Sequence, residues 1–238
     1  MSKINKILFV ILVVVVVISV ILYFNKNKKP SVSFLMPVEM VTEKSAGKYY
    51  TMDLSYPKSD AKDFPEVYAF ATSSAQEFLS EVKNISDSDA EMMHLGGDRL
   101  YNLSMDTRVA TSSQTITYIL SVYTFTGGAH GNTAVATFTY DKYGKLATLD
   151  DVFDKPYLQK IAALSRTHFY NTLGDYANPE MIDPGTEATT TNFSSWYLTD
   201  GGITFIFGQY QVGPYVIGMP EFSIGKSDLS DILSPKFK

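Results

Sequence analysis

Histidines, carboxylates and glycine-rich turns are the groups in this sequence whose types and spacing could do chemistry. His94, His130 and His168 are the only histidines, they lie far apart, and there is no cysteine. Thiol catalysis, cysteine-ligated zinc and a cysteine-linked lipid anchor are thereby excluded, and no spacing typical of a zinc site joins the histidines, so no metal and no cofactor is expected. His130 sits in the middle of YTFTGGAHGNTAVATFTYD, Tyr123 to Asp141. An imidazole there serves as general acid or base only if a carboxylate such as Asp141, Asp150 or Asp151 converges on it in space. Otherwise it is a structural group that bonds turn carbonyls or a tyrosine hydroxyl. Gly127 and Gly128 open backbone torsions closed to other residues. The lysine and hydroxyl residue of a phosphate-binding loop do not follow these glycines, a strand follows in place of a helix, and no G-x-S-x-G occurs in the chain.

A second group of residues points to recognition. FGQYQVGPYVIGMPEF, Phe207 to Phe222, holds Tyr210, Gly213, Pro214, Tyr215, Gly218 and Pro220. The two prolines cannot continue a sheet ladder, and tyrosines offer flat apolar area with a hydroxyl handle at small entropic cost. The same loop could instead cross one end of a sheet and tuck its rings into the core. Asp150 and Asp151 are adjacent, so in extended chain they point opposite ways and suit helix capping better than paired catalysis. His94 and His168 read as surface or half-buried residues.

The elements that must position these groups are readable from periodicity. Tyr49 to Pro57 alternates as a strand, and Phe64 to Val82 repeats apolar residues at helical spacing. Tyr101 to Thr148 is nearly all strand, in three consecutive segments with short links that predict an antiparallel meander. Asp154 to Leu173 is again helical, with Asp154 as N-cap and Gly174 as stop. Asn192 to Thr199 and Ile203 to Gln211 form a hairpin, Pro220 to Gly225 a short strand, and Lys226 to Leu233 a terminal helical turn. The expected class is α+β, a mostly antiparallel sheet with at least two packed helices.

The first residues are of another kind. Ile7 to Phe24 is an eighteen-residue run without a charge; as a helix it extends roughly 27 Å, close to the hydrocarbon thickness of a bilayer. Lysines and asparagines follow it, where a cleaved leader would show small residues, which predicts an uncleaved anchor. The expected organisation is a short cytoplasmic N-terminus at 1–6, a transmembrane helix at 7–24, a tether at 25–46 and one folded domain at 47–238. Lysines flank the span almost equally and leave its orientation open. Setting aside the five lysines of the first thirty residues leaves 15 basic against 25 acidic groups, a formal net charge of −10 over residues 31–238. Nucleic acid is therefore not an expected partner, and a basic protein would be attracted.

YTFTGGAHGN, LDDVF and NFSSWYLTDGGITFIFGQYQVGPYVIGMPEFSI, in this order and spacing, resemble the RsiV/PdaC-type extracytoplasmic domain from about Tyr49 to the C-terminus. Members of that family form the outer part of a membrane-bound anti-sigma factor that binds lysozyme, and are appended to peptidoglycan deacetylases of the bacterial envelope. The resemblance implies that the domain lies outside the cytoplasmic membrane. With a six-residue N-terminus expected before the span, neither the holding of a sigma factor nor the hydrolase activity of the deacetylase architecture is expected. The expectation is a single-pass, outward-facing binding module for a lysozyme-like basic protein or for peptidoglycan. It would use Tyr210, Gly213, Pro214 and Tyr215 with Gly127, Gly128 and His130; the alternatives are an envelope enzyme with His130 as acid or base, and a purely structural envelope protein.

Overall fold

β2 (Tyr50–Pro57) shows most directly why this sequence folds as it does. Tyr50, Met52, Leu54 and Tyr56 alternate onto one face and are buried, while Thr51, Asp53 and Ser55 remain half-exposed on the other. The buried face meets helix α1 (Pro65–Val82), whose Val67, Ala71, Ala75, Phe78 and Val82 form a continuous apolar stripe. The alanines let the helix approach closely, and Pro65 at its first turn costs no hydrogen bond. A short helix α2 (Asp87–Met92), capped by the Ser86 hydroxyl, completes the crossover to β3 (Tyr101–Thr111), which therefore pairs parallel to β2. β3, β4 (Thr115–Phe125) and β5 (Asn132–Asp141) form the expected antiparallel meander.

The computed structural model describes residues 39–58, 64–97 and 99–237. The short N-terminus and the membrane span expected at 1–6 and 7–24 lie outside the described residues, as does most of the tether. Among the described residues no helix is long and apolar enough to cross a membrane. One expectation is corrected: the tether was to run through residue 46, yet Met40–Ala46 forms strand β1, antiparallel to β2 from Met40 opposite Pro57 to Ala46 opposite Thr51. β1 is a largely exposed edge strand, so it lacks the buried alternation that would reveal it in sequence.

The five strands lie in the order β1-β2-β3-β4-β5, and β4 is central to two cores. Its Tyr118 meets Phe64 and Tyr140 edge-on at ring distances of 4.9 and 6.3 Å; Phe64 precedes α1, which places this set on the helix side. The Tyr140 hydroxyl donates to Glu66 of α1 at 2.8 Å. On the opposite face Thr117 and Thr139 are buried and share a hydrogen bond. That face is covered by a second sheet, β6 (Trp196–Thr199), β7 (Gly202–Ile206) and β8 (Glu221–Gly225), antiparallel in sequence order. β6 touches β3, β4 and β5 alike and so runs across them.

The second core gathers around β7 and the helix α4 (Leu158–Thr172), with Phe169, Phe193, Phe205 and Phe207 fully buried and stacked edge to face. Three short helices surround it, α3 (Leu149–Val152), α5 (Pro179–Gly185) and α6 (Lys226–Leu229). α4 starts at Leu158, four residues after the expected cap. Pro156 disfavours helical torsions at Lys155, so a helix cannot run through from Asp154. Gly174 ends the helix as expected, at φ +54°. The strand expected from Asn192 begins only at Trp196, because Asn192 turns its amide onto the carbonyls of Pro184 and Glu187.

Candidate functional site

The turn between β4 and β5 and the loop between β7 and β8 meet at one end of the five-stranded sheet. His130 stacks on Tyr215 with ring centroids 4.0 Å apart and planes at 29°. The His130 Nδ1–H donates to the carbonyl of Gly131 at 2.9 Å, and Nε2 then accepts from the Tyr210 hydroxyl at 3.3 Å. That tautomer follows because a carbonyl only accepts. The Tyr215 hydroxyl also donates to the Gly131 carbonyl, at 3.1 Å. Two aromatic residues of one loop are thereby tied to one imidazole of the other.

Each side of this contact is fixed by local structure. Gly127 and Gly128 take φ of +99° and +84°, which the turn requires. Tyr210 is itself left-handed, at φ +64°, an uncommon state for a large side chain, and it presents a ring that is 49% exposed. Its neighbours hold it there. Gln209 accepts from the backbone N–H of Thr133 at 2.7 Å, and Gln211 donates to the carbonyls of Gly185 and Asn192, both at 3.0 Å. Gly213 is buried where a Cβ would strike Ile217, and Pro214 leads into the single helical turn Tyr215–Ile217.

Beside the stack lies an open cleft of ≈ 590 Å³, lined by Arg99, Asn102, Tyr123, Phe125, Gly128 and His130 among others. Its size falls within the usual range for small-molecule sites. Arg99 donates to the Gly128 carbonyl at 2.9 Å, and its guanidinium carbon stands 5.8 Å from the centre of the Phe125 ring. Beyond Gly127, Tyr101 donates to the sulfur of Met93 at 3.0 Å, extending the aromatic and apolar surface.

Of the expected site residues, Gly127, Gly128, His130, Tyr210 and Tyr215 come together here, with Gly213 and Pro214 as supports behind them. The carboxylates that would make His130 an acid or base do not join them. Asp141 is buried and binds Lys236 and the backbone N–H groups of Tyr143 and Lys145. Asp150 accepts from Tyr157, whose phenol is pushed up to about 12 by burial and by that carboxylate. Asp151 caps the chain at Thr148, accepting from its backbone N–H and hydroxyl, and those bonds with Lys145 hold its carboxyl below the usual range. His168 stacks on Phe222 at 4.3 Å, with burial lowering its pKa, and His94 is an exposed turn residue. Among the described residues no three histidines, aspartates or glutamates gather to hold a metal.

Sequence reasoning missed Arg99, Asn102, Tyr123, Phe125 and Gln209. Tyr123 and Phe125 read as ordinary strand residues. Arg99 stands two residues after Gly97, and the pair Gly96 and Gly97, at φ of +138° and +59°, was the available signal for a tight turn just ahead of it.

An α+β body with two antiparallel-rich sheets, carrying a hairpin tip and a tyrosine loop locked together over a cleft, defines the class of protein. Two family models match consecutive parts of the chain: "Deacetylase PdaC" over residues 43–133 and "Protein of unknown function (DUF3298)" over residues 150–227. The chain is thus similar to PdaC/DUF3298-like domains over both parts. The first model contributes His130 and Arg99, and the second contributes Tyr210 and Tyr215. Peptidoglycan-N-acetylmuramic acid deacetylase PdaC of Bacillus subtilis is 28% identical over 207 residues, 84% of this chain and 42% of that protein. This chain thus spans less than half of that relative. Among solved structures, a DUF3298 family member from Bacteroides fragilis shares the fold with a TM-score of 0.61 at 19% identity, over 86% of this chain and 96% of that one. A DUF3298 family protein from Pseudomonas aeruginosa does so with 0.54 at 19%, over 85% and 96%.

Proposed function

We propose that the domain is a recognition module of the bacterial envelope that binds peptidoglycan through the His130, Tyr210 and Tyr215 cluster and its cleft, and that performs no covalent step. The observation that carries this reading is the stack itself: both ring nitrogens of His130 are engaged, by a carbonyl and a phenol, and Asp141, Asp150 and Asp151 are committed elsewhere. Rigid, partly exposed aromatic rings beside a cleft suit the flat C–H faces of sugars. The named chemistry of the Bacillus relative supports the choice of wall glycan. In this reading Ile7 to Phe24 anchors the chain, with the domain outside the cytoplasm.

A second reading has one specific observation in its favour. The net charge of −10 over residues 31–238 would speed encounter with a strongly basic lysozyme-like hydrolase. Co-sedimentation of the full chain with purified sacculi, and separately its capture by lysozyme, decides between them. Sedimentation with sacculi and unchanged wall material is the expected result. Capture by lysozyme alone would move the function to the second reading, and release of sugar, acetate or peptide by the pure chain would replace both with an enzyme.

A further inference from the structure

Arg99 is exceptional among the three arginines of the chain. Arg108 pairs with Glu221, and Arg166 lies 3.2 Å from Asp183. Arg99 has no carboxylate partner among the described residues, although the domain carries a large excess of acidic groups. Its guanidinium is nonetheless held in place. One N–H is spent on the Gly128 carbonyl, the Phe125 ring lies under the group, and the backbone N–H and C=O of Arg99 are both bonded to Gly96. The remaining donors stay available in an exposed side chain that lines the same cleft as His130. A planar, oriented guanidinium with unspent donors is the usual receptor for a carboxylate, which it takes in a two-pronged bond.

Resting on the glycan-binding reading above, we propose that Arg99 is the specificity-determining residue of the cleft and selects an amino sugar that bears its own carboxylate. The aromatic wall supplies affinity for any pyranose face, since stacking is indifferent to a distant substituent. Arg99, held over Phe125 and on the Gly128 carbonyl, adds the discriminating contact in the same cleft. The ligand class is therefore an acidic saccharide, such as one with an ether-linked lactyl group, in preference to a neutral one of equal length. A peptide stem attached to the glycan also carries carboxylates, and the proposal commits to the sugar-borne group.

The test measures binding of the full chain, as wild type, Arg99→Gln and Arg99→Lys, to three probes: a peptide-free oligosaccharide containing muramic acid, a neutral N-acetylglucosamine oligomer of equal length, and the isolated peptide stem. Wild type should prefer the acidic oligosaccharide over the neutral one by about tenfold or more, as expected for a charge-assisted bond. Arg99→Gln should bring that ratio to about one, and Arg99→Lys should keep part of it, while thermal unfolding shows both variants folded. Equal wild-type affinity for the two sugars, or a preference that survives Arg99→Gln, overturns this inference and leaves glycan recognition standing. Arg99-dependent binding of the peptide alone places the carboxylate on the stem and also overturns it. Failure of wild type to bind either sugar removes the recognition reading, and this inference with it.

Discussion

The imidazole of His130 and the phenol ring of Tyr215 lie 4.0 Å apart, nearly parallel, and both side chains bond the carbonyl of Gly131. One carbonyl thus orders two rings, one of them from a residue 84 positions along the chain from that carbonyl. Tyr215→Ala removes a wall of the cluster and a hydroxyl bond at once. Glycan binding should fall by about tenfold, in the range of an interfacial aromatic anchor, while stability changes by less than about 1 kcal/mol because the ring is only half-buried. Tyr215→Phe keeps the stack and should retain most of the affinity. Titration calorimetry with a wall oligosaccharide, beside urea unfolding, separates the two effects.

Gly131 sets the shape of the cleft by lacking a side chain. A Cβ there would stand 2.4 to 2.5 Å from the outer ring atoms and hydroxyl of Tyr123. The obstructing atoms are the far end of a side chain, so the ring would swing aside before the backbone yielded. Gly131→Ala should therefore cost about 1 kcal/mol of stability and yet weaken ligand binding severalfold, because Tyr123 lines the cleft. Loss of binding with an unchanged Tyr123 position, seen in a crystal structure of the variant, would refute this account.

How much of this was legible in sequence depended on whether burial leaves a periodic trace. β2, α1 and the β3 to β5 meander were readable because one or both faces are buried and repeat at periods of about 2 or 3.6 residues. β1 was not, since an exposed edge strand shows no such repeat. The hairpin turn and the tyrosine loop each carried their own glycine and proline punctuation, so both were found separately. Their meeting was invisible, because it depends on β6 crossing the meander and on Gln209 reaching Thr133, which are pairings at long range with no local signature. Arg99 was missed for the same reason: its importance lies in what surrounds it, a carbonyl and a ring supplied by another hairpin.

Gly185, the last residue of α5, packs where a Cβ would lie 1.9 Å from the backbone oxygen of Gln211. Helix propensity alone would favour alanine there by about 1 kcal/mol. The clash is with main chain, which has no rotamer to escape into, so it should win. Gly185→Ala is expected to destabilise by about 2 kcal/mol and to disturb Tyr210, which adjoins Gln211 in sequence, lowering ligand binding as well. An unchanged or raised Tm would show that α5 and the loop part easily, contrary to the bond from the Gln211 amide to the Gly185 carbonyl.

Asp141 contributes a pH dependence to the stability of the fold. Its burial alone would raise its pKa, but hydrogen bonds from Lys236, Tyr143 and Lys145 outweigh that and hold it below the ordinary 3.8. A carboxylate depressed by folding stabilises the native state at pH values above its unfolded pKa. That contribution is lost as pH falls below about 4, through the lower folded value. Lys236 is 37% exposed, so solvent screens the pair and its rupture should cost less than the roughly 3–5 kcal/mol of a fully buried one. Asp141→Ala is expected to lose about 2 kcal/mol at pH 7, with the difference from wild type shrinking as both are taken to pH 2. Urea unfolding at the two pH values measures it. A gap that persists undiminished in acid would mean that Asp141 acts by packing, with its charge contributing nothing.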